Sequence, residues 1–177
     1  MRKSEESILY VLAQRNGACR PTRLRYHIQG APVCQQGWPP HKYMAESLLV
    51  IRTVFSNDHT WAIELKETGE AIGCIGYFLH GESNIAIGEN DAQIGYWIAR
   101  PYWNQGICTE ALRAMIDYGF NVKGFEVLWS DFFVDNPASG RVMEKCGFRD
   151  TGEFNWCSHL YRGDERPVKV MRLDYAI

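Results

Sequence analysis

The sequence predicts an α/β protein built on a mixed β-sheet. Three observations carry this. Short runs of alternating apolar residues read as strands, two later segments carry helical spacing between such strands, and Gly or Pro marks most junctions. The 177 residues fit one domain, taken as residues 1–177. A chain of this length buries roughly two-thirds of its unfolded surface on folding.

The elements follow in order. Ser7–Gln14 reads as a weak first strand and Arg20–Gln29 as a short helix, so residues 1–30 form an irregular opening. A turn-rich stretch follows, with prolines at 32, 39 and 40. Tyr43–Asn57 places Met44, Leu48, Ile51 and Phe55 at helical spacing. "HTWAIELK" puts Trp61, Ile63 and Leu65 on one face of a strand, and "TGE" turns it into "AIGCIGYFLH". "AQIGYWIAR" is the next strand. A helix is expected from about Gly106 to Asn121, with Leu112, Met115, Ile116 and Phe120 as its core stripe. The strand Glu126–Val134 follows, then a short helix with Asn136 as N-cap, Pro137 at its first position and Gly147 past its end. "EFNWCSHLY" and "VKVMRLDY" close the order as two strands. Two late β-α-β crossovers in such an order imply a mixed sheet with helices on both faces.

Composition narrows the function. A formal net charge of −2 argues against a nucleic-acid binder, and no run approaches a membrane span. The first apolar run, interrupted by Gln14 and Arg15, is too short for a signal peptide. Six cysteines at 19, 34, 74, 108, 146 and 157 form no C-x-x-C and no zinc spacing. A reduced, cytoplasmic protein without a metal is expected.

"PYWNQGICTEAL" places a glycine turn at the mouth of a helix. The first amides of a helix lack intrahelical partners, and the macrodipole adds partial positive charge there. Asn104, Gln105, Gly106, Ile107, Cys108 and Thr109 are therefore placed to cradle an anion through main-chain N–H groups. On spacing alone, an ordinary strand–helix connection is the commoner outcome. The phosphate-loop and dinucleotide glycine patterns are absent, which argues against a nucleoside triphosphatase or a dinucleotide enzyme.

"IGYWIARPYWNQGICTEAL" taken with "DNPASGRVMEKCGF" resembles the GCN5-related N-acetyltransferases, and within them the RimJ/RimL-type ribosomal-protein branch. That family's pyrophosphate loop reads Q/R-x-x-G-x-G/A. Here Trp103 replaces the first polar residue and Cys108 the last small one. A second signature, N-x-x-S with a K-x-G-F ending, is matched by Asn136, Ser139, Lys145, Gly147 and Phe148. The family's opening strand pattern is not found in residues 1–30.

The resemblance implies a sheet with splayed central strands and an acetyl-CoA-binding core over 92–148. It implies direct acetyl transfer from acetyl-CoA to a primary amine, on a protein N-terminus or a small molecule. Tyr96, Trp97 and Ile98 would meet the pantetheine arm through their main chain, and 104–109 the diphosphate. Gln105 and Cys108 would act only through their backbone, so alanine there should cost little. Asn136, Ser139 and Lys145 would complete the cofactor contacts, with Ser139 protonating the departing thiolate. Glu64 is the first candidate for the base that deprotonates the amine, followed by Glu89, Asp91 and His41. Trp38, His41 and Trp156 are candidates for the acceptor pocket. A homodimer is compatible with this picture. The alternative is a non-catalytic CoA-binding module of the same fold, serving regulation or interaction.

Overall fold

The computed structural model describes residues 59–65, 68–69, 71–158 and 165–175. The expected strand Ser7–Gln14, the expected helices Arg20–Gln29 and Tyr43–Asn57, and the candidates Trp38 and His41 lie outside the described residues.

Chain order runs β1 (Thr60–Glu64), β2 (Ala71–Leu79), β3 (Ala92–Ile98), α1 (Ile107–Tyr118), β4 (Val127–Phe133), α2 (Pro137–Lys145), β5 (Arg149–Ser158) and β6 (Glu165–Asp174). The strands form a six-stranded sheet in the order β1-β2-β3-β4-β6-β5. It is mixed: β3 and β4 run parallel, whereas β1–β2, β4–β6 and β5–β6 are antiparallel. Two compact units share these elements, one made of 1–76 with 96–111, the other of 77–95 with 112–177.

In the first unit, β1 and β2 form a hairpin. The Thr68 and Gly69 N–H groups both donate to the Leu65 carbonyl, at 3.2 and 2.7 Å, and Gly69 supplies the left-handed φ of 67° that closes the turn. The one-sided strand expected here is not what forms. Trp61, Ala62 and Ile63 are buried in succession and Leu65 only half so, the pattern of a strand covered on both faces. At the start of β2, Ala99 N–H donates to the Ile72 carbonyl at 2.8 Å. Next to it, a Cβ on Gly73 would stand 2.3 Å from the Trp97 carbonyl oxygen, so only glycine permits this approach. Ile63, Ile72, Ile75, Ile107 and Ala111 supply buried apolar side chains.

In the second unit, β6 pairs with β4 from Val127↔Asp174 to Phe133↔Val168 and with β5 on its other edge. The parallel ladder of β3 and β4 has two register pairs, Ala92↔Leu128 and Gln93↔Trp129. At the next residue the buried Ser130 hydroxyl donates to the Ile94 carbonyl at 2.8 Å, so a side chain takes the acceptor that a ladder amide would use. Helix α1 stops at Tyr118, short of the expected Asn121, and a π-helical turn Gly119–Lys123 continues it to Gly124 at φ 74°. Leu112 and Met115 are buried as expected, while Ile116 and Phe120 are half-buried. Tyr77 donates its hydroxyl to the Met115 carbonyl, and burial, with Tyr118 and Asp117 adding to it, drives its pKa far above the usual phenol value. Gly119 and Gly140 approach Leu128 and Phe132, which alternation places on one face of β4. A Cβ on Gly140 would stand 2.7 Å from the Phe132 ring.

Candidate functional site

The first unit carries the helix mouth. From Ala99 the chain makes a 3-10 turn, Arg100–Tyr102, then passes through Asn104 at φ 60° and Gly106 at φ 83° into α1. Glu110 N–H closes the first intrahelical hydrogen bond onto the Gly106 carbonyl at 3.0 Å. The amides of Ile107, Cys108 and Thr109 therefore stand ahead of that bond, at the positive end of the helix dipole. The Ile107 side chain is buried, which anchors this end of the helix, while Asn104, Gln105 and Gly106 are exposed. Among the described residues, a Cβ on Gly106 would meet nothing within 4 Å, so glycine is favoured there by its backbone angle. That combination suits an anion with a backbone approach, and a diphosphate meets it.

Alternation fixes which strand residues turn toward such a ligand. The Ala99 amide and the Trp97 carbonyl both face β2, so the peptide groups of Tyr96 and Ile98 turn to the opposite edge. The Trp97 carbonyl faces Gly73, on the edge of β3 away from the one that Tyr96 and Ile98 present. The Ile98 carbonyl is itself engaged, accepting from Trp103 Nε1 at 2.8 Å.

One correction concerns Gln105, expected to act only through its backbone. Its side-chain Nε2 donates to the Pro101 carbonyl at 2.9 Å and closes the loop on itself. Removing one such bond costs about 1 kcal/mol. Glu64 lies at the end of β1, half-buried and opposite Ala71, beyond an irregularity in the register at Ile63/Glu64. Two strand spacings, about 10 Å, separate its row from the end of β3.

The second unit holds the other signature. Asn136 sits at the N-cap of α2 but makes no side-chain cap bond; its main-chain carbonyl accepts from Ser139 N–H at 3.1 Å instead. The expected side-chain cap is therefore corrected to a main-chain turn. Pro137 and Gly147 take their expected places. Gly147, at φ 93°, donates to the Glu144 carbonyl at 3.0 Å, and Phe148 N–H to the Met143 carbonyl at 3.1 Å. These two bonds are a Schellman cap, with the buried Phe148 as its apolar contact. The G-F ending of the motif is thus a helix stop. Lys145 is exposed, and its carbonyl accepts from Arg113 Nη2 at 3.3 Å. Ser139 is half-buried. Trp156 is exposed on the edge strand β5, whereas Trp61 is buried and Trp129 half-buried.

Asp91 is tied down. Its Oδ2 accepts from Gly88 N–H at 3.0 Å and Trp129 Nε1 at 2.9 Å, which makes it a loop staple rather than a base. The acid that sequence reasoning missed is Asp131 on β4. Asn84 Nδ2 donates to its Oδ2 at 2.7 Å, and burial raises its pKa against the opposing hydrogen bonds from Asn84 and Gln93. Its charge in turn raises the neighbouring Cys157 thiol, for which burial is the larger cause. Nothing in the local alternation of "EVLWSDFFV" distinguishes Asp131 from a solvated strand residue.

This makes a pH prediction. A carboxyl with a raised folded pKa keeps its proton after the unfolded chain has released its own at about pH 4. Stability then falls as pH rises from there through the folded value. Asp131→Asn removes that term. The stability difference, variant minus wild type, should grow with pH across this window in urea titrations, and a flat difference would refute the assignment.

Among the described residues, no group of three His, Cys, Asp or Glu side chains is placed to hold a metal, and no helix is long and apolar enough to cross a membrane.

The fold defines a class, the α/β proteins with a parallel β-α-β core and a glycine turn at the mouth of the crossover helix. The chain belongs to the GNAT acetyltransferases: the model of the Acetyltransferase (GNAT) domain matches residues 20–149. It is 35% identical over 92 residues to the uncharacterized N-acetyltransferase YoaA of Bacillus subtilis, covering 52% of this chain and 49% of the relative. To YkkB of the same organism it is 40% identical over 87 residues, 49% of this chain and 48% of that one. The chain thus spans about half the length of the curated relatives it matches. Among solved structures, a spermidine N-acetyltransferase from Vibrio cholerae, in complex with CoA and spermine, superposes with a TM-score of 0.56 at 17% identity, covering 77% of this chain and 78% of that one. A Vibrio cholerae protein assigned as a ribosomal-protein-serine acetyltransferase gives a TM-score of 0.58 at 21% identity, covering 73% and 72%. These likenesses establish the GNAT fold, and the family includes RimJ-like relatives.

Proposed function

We propose that residues 1–177 form one N-acetyltransferase domain that transfers acetyl from acetyl-CoA to a primary amine, with 92–148 as its acetyl-CoA-binding core. The observation that carries this is the helix mouth: a left-handed Gly106, whose Cβ position meets no described residue, leading into the first turn of α1 in a chain of this family. Acetyl-CoA, when bound, supplies an activated acyl group. The amides of Ile107, Cys108 and Thr109 hold its diphosphate, and the outward edge of β3 at Tyr96 and Ile98 orients its arm. Asn104, Gln105 and Gly106 shape the loop.

A new N–C bond forms as the C–S bond breaks. The amine loses one proton and the departing thiolate gains one. Glu64, through water across its two-strand distance, is the proposed base, and Asp131 is a second carboxylate suited to that work because its proton affinity is raised. Ser139 protonates the thiolate. A thiol of ordinary pKa near 8.5 is already a tolerable leaving group. Ser139→Ala should therefore lower kcat by about tenfold, well short of the full loss of a general acid. Steady-state rates of CoA release measure it, and an unchanged kcat would remove Ser139 from the reaction.

The acceptor is a protein N-terminus or a small amine. The assigned ribosomal-protein acetyltransferase and the spermidine acetyltransferase share the fold and support each choice in turn. Thiol release from acetyl-CoA across peptides and polyamines decides between them. Binding of acetyl-CoA with no turnover across the panel would instead make this a non-catalytic CoA-binding module. A cytoplasmic location, a homodimer and acceptor contacts from Trp38, His41 and Trp156 belong to the same proposal.

A further inference from the structure

Trp103 lies in the loop between β3 and α1. At 46% exposure it is no core residue, unlike Trp61 at 5%. What it does make is one directed bond, from Nε1 to the Ile98 carbonyl at 2.8 Å. That carbonyl belongs to the last residue of β3 and turns to the edge opposite β2. A ligand arm lying along that edge excludes water from it, and a carbonyl buried without a donor is costly. The indole N–H meets that acceptor in advance.

Two side chains therefore support the loop in different ways. Gln105 bonds within the loop, to Pro101, and fixes its shape. Trp103 bonds out of the loop, to the strand. We propose that Trp103 is a positioning residue that couples the diphosphate loop to the edge of β3, pre-satisfying the Ile98 carbonyl that an acyl-pantetheine arm would cover. The inference rests on the acetyl-CoA reading and goes beyond it, because it separates recognition of the arm from recognition of the diphosphate.

ADP carries the diphosphate without the arm, and CoA carries both. Calorimetric titration of each into wild type, Trp103→Phe and Gln105→Ala therefore tests the separation. Trp103→Phe keeps an aromatic ring and loses the N–H. It should weaken CoA by about tenfold, the weight of one unmet carbonyl, and leave ADP unchanged. Gln105→Ala should weaken both ligands alike. If Trp103→Phe weakens both equally, Trp103 merely supports the loop and the proposal falls; it falls also if CoA is unaffected. Wild type that binds neither CoA nor acetyl-CoA would instead overturn the acetyl-CoA reading itself. If Trp103→Phe does not fold, replacement of Trp103 by benzothienylalanine exchanges only the N–H for sulfur, and the same two outcomes apply.

Discussion

Gly73→Ala is expected to lower the melting temperature by roughly 5–10 °C and to weaken acetyl-CoA binding at least about tenfold. The added Cβ would stand 2.3 Å from the Trp97 carbonyl oxygen and 3.0 Å from Ile98 Cα. Both are backbone atoms, so no rotamer change relieves the clash. The strands must separate, at a cost of about 2–3 kcal/mol for forced overpacking. The displaced residues are also those whose neighbours, Tyr96 and Ile98, face the proposed ligand edge. Stability and affinity should therefore fall together. Thermal melts with and without acetyl-CoA measure both, and an unaltered melting temperature would show that the sheet yields more readily than its geometry implies.

Gly106→Val should act in the opposite proportion, with a small loss of stability and a large loss of affinity. Among the described residues an added Cβ at Gly106 meets nothing within 4 Å. What valine cannot adopt cheaply is φ 83°. A left-handed β-branched residue costs about 1–3 kcal/mol, and the loop can escape that by flipping the peptide that leads into α1. The escape turns the first amides away from the anion, and affinity should drop by about a hundredfold. Gly106→Asn, which tolerates the left-handed region better, should retain more of it. Isothermal titration with acetyl-CoA distinguishes the two variants. Equal affinities for wild type and Gly106→Val would sink the cradle.

The local sequence made much of this architecture readable. Alternating runs marked β2, β3 and β4, and Pro137 and Gly147 bracketed α2 because each has a conformational demand of its own. The helix mouth was legible for the same reason: Gly106 announces an unusual backbone. What stayed hidden depends on neighbours distant in the chain. β1 reads as one-sided because Trp61, Ile63 and Leu65 alternate, while nothing in the sequence marks the small Ala62 between them as covered too. Asp131 reads as a solvated strand residue until Asn84, from a loop nearly fifty residues earlier, is placed over it. Trp103 reads as a departure from a motif, and Gln105 as a backbone donor, because a side-chain bond to a carbonyl leaves no mark on periodicity. Asn136 fooled the reading differently: its residue type matches a cap whose work the main chain does instead.

The place of β6 bears on how the chain acquires its shape as it is made. Residues 165–174 are synthesised after β4 and β5 yet lie between them, bonded to both. Until those residues are seated, β4 and β5 each present an edge with no neighbour. Both ladders close only when β6 slides into the gap. A released chain truncated before residue 165 should therefore aggregate more readily than the full sequence.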